Sequence, residues 1–360
     1  MNILRASTAL IGVLLMGCTQ FGPNLISNGR GAYNQSIIES GDQQTLAMIT
    51  RMRYGETMGM LAVSSVTANI RISATANADF KAWGSRAEVA GNLNPLQSGL
   101  AYEENPTISY IPIDGAEYVR ELLSPIPIEL TFLLLGAAPS PRGGFIALVE
   151  SINGIQNPTF LSNPDDADGR FMRCVELLLE FKHRGFIHWA RSSSEGPGIV
   201  VVISRYAPTH TAAVQEFLEL VEVASDGVDS GHDVILPTRL SDGTTHDDRG
   251  LAITTRSIRD LMEISAASME IPPEHDEAGW VQSYPALGHV QDLIRIRRSE
   301  TAPEAAMVAV EHHGWWYYID ASDSESKQFF RLIRTLVSVR IADASRASAQ
   351  LPVLTVPVSR

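Results

Sequence analysis

Apolar and polar positions along the chain fall into segments of different period. An apolar run, residues 6–16, is broken only by Ser7, Thr8 and Gly12, and a polar, glycine-bearing stretch without a period of its own follows at 19–31. Tyr33, Ile37, Ile38, Leu46, Ile49 and Met52 then recur at helical spacing up to Tyr54-Gly55. That spacing predicts a long helix, with Gly41-Asp42 as the place for a kink. From Met60 to Ile72 β-branched and small polar residues take over, which reads as extended chain. Residues 107–113 predict a further strand, whose Pro112 belongs at a sheet edge or at the strand's end. Asp114 is placed to cap a helix over Tyr118, Leu122 and Leu123.

Residues 126–138 are the most apolar interior stretch, but Glu129, a length of thirteen residues and flanking prolines make it a buried helix rather than a membrane span. Helical periodicity continues over 145–155, ending at Asn153-Gly154, and returns over 171–181. The second half alternates strand-like 199–203, helical 211–223, strand-like 251–254, helical 258–266 and strand-like 293–297, with loops at 225–233 and 241–250 rich in Asp, Gly and Ser. A turn at His313-Gly314 makes 307–320 a hairpin in which Val308, Val310, Trp315, Tyr317 and Ile319 share a face. Ser322-Asp323-Ser324-Glu325 has capping-box spacing and opens a helix striped with Phe329, Ile333, Leu336 and Val337.

The end of the chain, 352–358, is too apolar for a solvated tail. Its two prolines suit an edge strand, docked on the chain's own sheet beside the 307–320 hairpin or on a partner's exposed edge. Mixed elements without strict strand–helix alternation in the first half predict an α+β fold with a mainly antiparallel sheet and packed helices. The globular region is 32–360, and its shift in pattern allows a helix-rich 32–190 and a mixed strand–helix 191–360. No internal repeat is present.

The N-terminus changes the picture. Arg5, the apolar run and then Leu15-Met16-Gly17-Cys18 resemble the export signal and lipobox of bacterial lipoproteins. The resemblance implies cleavage after Gly17, a diacylglyceryl group on the Cys18 thiol and acylation of the new amine. Residues 1–17 are then a signal peptide and 18–31 a lipidated cysteine with a tether. Several acyl chains hold a protein to a bilayer where one alone is marginal. Thr19, where an Asp would mark inner-membrane retention, favours the periplasmic face of the outer membrane.

With 44% hydrophobic residues among 360, the chain has material for a sizeable core. Removing residues 1–17 leaves 27 basic against 41 acidic residues, net −14, which repels nucleic acid and anionic lipid headgroups. Cys174, the only other cysteine, has no partner once Cys18 is acylated and sits in an apolar helical pattern, so it belongs to the core.

The mature chain also resembles an uncharacterised family of bacterial outer-membrane lipoproteins. The resemblance is carried by Tyr33-Asn34, 49–54 (ITRMRY), 106–113 (PTISYIPI), 123–128 (LSPIPI), 150–154 (ESING), Thr255-Arg256-Ser257, 314–320 (GWWYYID), Ser326-Lys327 and 352–360 (PVLTVPVSR). It departs at 136–142, where a Gly-Trp pair is expected and Gly-Ala-Ala-Pro-Ser stands. The family brings no known activity, ligand or catalytic residue.

Candidate chemistry is sparse. Asp165-Asp166-Ala167-Asp168-Gly169 is like the start of a calcium loop, but Pro164 and Val175 occupy its first and last ligand positions, and acidic residues before a helix need no metal. His183 and His188 are five apart and share no helical face; His246-Asp247-Asp248 and Glu274-His275-Asp276-Glu277 lack metal spacing. No cofactor or metal set follows. Ser324-Glu325-Ser326-Lys327 fits S-x-x-K without the companion motifs of a serine acyl enzyme. Trp315-Trp316-Tyr317-Tyr318 serves the core or stacks sugars. A lipid-anchored, non-enzymatic envelope component with an envelope protein as partner is therefore expected; the alternative is a polysaccharide- or peptidoglycan-binding protein or hydrolase.

Overall fold

The structure, a computed structural model, describes residues 21–57, 59–67, 70–77, 97–104, 107–113, 115–137, 141–162, 169–191, 199–224, 228, 232–242, 247–347 and 354–357. Cys18 and its lipobox, Asp114, the acidic stretch 165–168 and His246 lie outside the described residues.

In chain order the elements are α1 (Phe21–Arg53), β1 (Met60–Thr67), β2 (Ile70–Asn77), β3 (Gln97–Glu104), β4 (Thr107–Ile113), α2 (Gly115–Leu123), α3 (Ile128–Ala137), α4 (Pro141–Leu148), β5 (Val149–Ile152), β6 (Ile155–Gln156), β7 (Phe160–Leu161) and α5 (Gly169–His183). There follow β8 (Ile187–Arg191), β9 (Ile199–Ile203), α6 (Thr211–Leu220), β10 (Val234–Leu240), β11 (Leu251–Thr255), α7 (Ile258–Ala267), α8 (Pro273–Glu277) and β12 (Ala286–Leu287). The last are β13 (Arg297–Ser299), β14 (Ala306–His312), β15 (Trp315–Asp320), α9 (Ser324–Ala347) and β16 (Leu354–Pro357). The fold is α+β, with mostly antiparallel sheets, as the sequence pattern predicts.

The chain separates into two compact units, 1–58 with 115–342 and 59–114 with 343–360. This replaces the division at 190. A six-stranded sheet, ordered β6-β5-β11-β10-β9-β8, pairs Ile152 of β5 with Ile253 of β11, so strands from both sides of residue 190 share one ladder. Only β10 and β11 run parallel within it. The sheet is covered by apolar helix faces, including Phe132 and Leu135 of α3, Phe145 and Leu148 of α4, Phe171, Cys174 and Leu178 of α5, and Val214 and Phe217 of α6. Cys174 is fully buried, as expected of a core cysteine.

Several elements differ from the sequence pattern. Helix α1 begins at Phe21, so the stretch expected to be a tether is helical from there. Pro23 falls in the first turn, where a missing N–H costs nothing. Residues 34–40 are exposed and burial sets in at Thr45 and Leu46. Gly41 leaves room for a side chain: a Cβ there would lie 1.9 Å from Nη2 of Arg334, whose Nε donates to Asp42 at 2.9 Å. The helix predicted over 145–155 stops at Leu148, because 149–152 pairs with β11 and then turns at Asn153 and Gly154, both at positive φ. Of the strand-like 293–297 only Arg297 is in a strand. The cap of α9 is Asp323, not Ser322: its carboxylate accepts from the Ser326 N–H and hydroxyl, while Ser322 donates to Asp320.

A buried arginine closes the middle of unit 1. Arg256, between β11 and α7, is 0% exposed and donates through Nη1 to the carbonyls of Ile146 (2.6 Å) and Ala147 (3.1 Å), through Nη2 to that of Asn157 and through Nε to Thr159. Burial pulls its pKa down to about 10, so it is charged at neutral pH. Ser257 and Asp260 then form the reciprocal cap that starts α7.

The second unit holds a three-stranded sheet ordered β1-β4-β16 and the hairpin β2–β3. The C-terminal strand is an edge strand, as its prolines imply, but its partner is β4 (Leu354 opposite Tyr110, Pro357 opposite Thr107), not the 307–320 hairpin. Pro112 pairs with Leu61 of β1 and lies outside the described pairing of β4 with β16.

Candidate functional site

The end of α1 and the tip of the β14–β15 hairpin meet in unit 1. The helix stops at Gly55, whose φ of +68° takes the left-handed turn that glycine tolerates. Gly55 N–H donates to Met52 and Glu56 N–H to Arg51, the paired bonds of a Schellman cap, which leaves Glu56 directly beyond the helix. In the hairpin, His313 and Gly314 carry φ of +49° and +80°, as a two-residue primed turn requires. The pairing predicted from the sequence holds: Val308 faces Ile319, Val310 faces Tyr317 and His312 faces Trp315. Helix α1 packs on β14 and α7, and this brings Glu56 to the two histidines.

Three donor groups gather there. Glu56 Oε1 lies 2.9 Å from His313 Nε2 and 3.2 Å from His312 Nε2, and one ligand atom from each residue falls within 4.8 Å of the others. The His313 contact is a hydrogen bond. The His312 contact has the distance without the alignment, so its buried Nε2 has no hydrogen-bond partner. Burial lowers the His312 pKa, outweighing the attraction of the Glu56 carboxylate. With His312 neutral, the depression of the Glu56 pKa, which burial alone would raise, is carried chiefly by the hydrogen bond from His313.

Beside this cluster runs a buried hydrogen-bonded chain. Tyr54 Oη lies 2.5 Å from Tyr317 Oη and 2.6 Å from His275 Nδ1, and all three residues are buried. Each phenol has one proton, so the chain runs in one of two senses: Tyr317 donates to Tyr54 and Tyr54 to the Nδ1 lone pair of His275, or His275 Nδ1–H donates to Tyr54 and Tyr54 to Tyr317. Burial raises both phenol pKa values, and the bond to Tyr54 raises that of Tyr317 further. The Tyr54 ring packs edge-on against His312 (4.9 Å) and at a tilt against His313 (5.0 Å). Trp280, half exposed, stands 4.8 Å from His275 and 5.7 Å from His313.

The residues singled out from sequence are placed differently. His275 joins this site. His183 and His188 are exposed on α5 and β8. Asp247 pairs with Arg239. Lys327 Nζ donates to the Ala321 carbonyl and Asp323 takes the Ser326 hydroxyl, so S-x-x-K is part of a helix start. Tyr317 is core, and Trp315 lies under the Arg298 guanidinium at 4.7 Å. Glu56, His312 and His313 carried no spacing signal, because 256 residues separate the carboxylate from the first histidine; the His-His pair at a hairpin tip was the one local hint. No protein-family model, curated protein or solved structure matches the chain.

Proposed function

We propose that the chain is a bacterial lipoprotein, held by acyl chains on Cys18 at the periplasmic face of the outer membrane, and that it is a non-enzymatic binding component of an envelope assembly. The observation that carries this is Leu15-Met16-Gly17-Cys18 behind a short apolar run. The start of α1 supports it: the helix begins three residues after Cys18, and residues 31–44, exposed or half-buried, span about 21 Å at 1.5 Å per residue before the first buried residues, Thr45 and Leu46. Such a stretch separates an anchored end from the body. Among the described residues no helix is long and apolar enough to cross a membrane. Binding is supported by an apolar cleft of about 350 Å³ in unit 1, lined by Leu134, Leu148, Leu293, Phe329 and Leu332 with Arg331 beside them.

Replacing the thiol tests the anchor. The native protein should fractionate with outer membranes, and Cys18→Ser should leave an uncleaved precursor or a soluble periplasmic protein. Identical fractionation of the two would refute the proposal.

A further inference from the structure

We propose that Glu56, His312 and His313 bind one divalent transition-metal ion of the zinc class. The site goes beyond the envelope assignment and does not depend on it.

Distance is the first ground. A tetrahedral ion with bonds of about 2.0–2.1 Å holds its ligand atoms roughly 3.3 Å apart. Glu56 Oε1 already lies 2.9 and 3.2 Å from the two Nε2 atoms, and the three ligand atoms fall within 4.8 Å of one another, so side-chain adjustment alone brings them round one ion. The second ground is the unpaired Nε2 of His312. A buried acceptor without a partner is costly, and among the described residues it is one of three buried side-chain atoms left so. An ion between His312 and Glu56 would use its lone pair.

Ligand type narrows the ion. Two imidazoles and one carboxylate suit Zn²⁺, Co²⁺, Ni²⁺ or Cu²⁺, whereas Mg²⁺ and Ca²⁺ require oxygen ligands. The supports are rigid. Glu56 is fixed by the Schellman cap, the histidines by the hairpin turn, and the Tyr54 ring packs against both imidazoles. In the bound form the ring proton of His313 sits on Nδ1, so that Nε2 offers its lone pair to the ion. Three protein ligands leave a fourth position for water, on the side of half-exposed His313. The ion would clamp the end of the long helix α1 to a hairpin 256 residues away in sequence.

The test uses the purified full-length chain, stripped with chelator and titrated calorimetrically with ZnSO₄ and, separately, CoCl₂ and MgCl₂. One Zn²⁺ per chain is expected, with perturbed Trp280 fluorescence, tetrahedral Co²⁺ visible bands and no response to Mg²⁺. Glu56→Gln and His312→Gln should each weaken Zn²⁺ binding at least 100-fold, and His183→Ala should leave it unchanged. Metal-free melting curves establish that the variants fold; should His312→Gln fail to fold, His313→Gln at the exposed hairpin tip takes its place. Absence of stoichiometric Zn²⁺ binding, or binding that survives the Glu56→Gln/His313→Gln double variant, overturns the proposal.

Discussion

Tyr317 shows how much one side chain can hold. It is fully buried and its hydroxyl starts the chain through Tyr54 to His275, linking hairpin, helix end and α8. Its pKa is raised above the ordinary phenol value by burial and then by the bond to Tyr54. The unfolded chain therefore releases this proton first as pH climbs through about 10, and the tyrosine's share of stability, intact below that pH, is lost on further rise toward its folded pKa. Tyr317→Phe should destabilise the protein by about 1–2 kcal/mol at neutral pH, since the buried Tyr54 hydroxyl loses a hydrogen-bond partner. It should also flatten part of the decline in melting temperature above pH 10. An unchanged alkaline profile would mean that the phenol titrates alike in both states. None of this was visible in the sequence, where GWWYYID showed only an aromatic strand. Arg256 was hidden for a related reason: one charged residue between a strand and a helix reads as solvated, and only the fold shows the carbonyls that surround it.

Elements with a strong period were legible. The stripe of α5, the face shared across the β14–β15 hairpin and the buried end of α1 follow from spacing alone. Short apolar runs were not. Residues 149–152 continue a helical count as well as they alternate, and their pairing with β11, about a hundred residues away, decides for strand. The last strand was legible in kind but not in address, because edge-strand composition names no partner. Deleting residues 351–360 removes β16 and should raise amide hydrogen exchange across residues 107–110 of β4, leaving α1 between residues 46 and 53 as protected as before. Protection retained in β4 would rule out that pairing.

For the molecule as a whole, sequence and structure inform different parts. The structure describes a helix-and-sheet unit with a polar site at the end of α1 and a smaller strand unit that carries the C-terminus. The lipobox lies outside the described residues, so the placement at the membrane rests on four residues of sequence. A metal clamp at Glu56 and an anchor at Cys18 would fix the two ends of one helix-bearing segment. The anchor is the claim on which the cellular role depends. Mass spectrometry of the N-terminal peptide from protein extracted from native membranes tests it most directly. A peptide beginning at Cys18, carrying a diacylglyceryl thioether and an acylated amine, is the predicted result. A mature N-terminus elsewhere, or an unmodified Cys18, would contradict it.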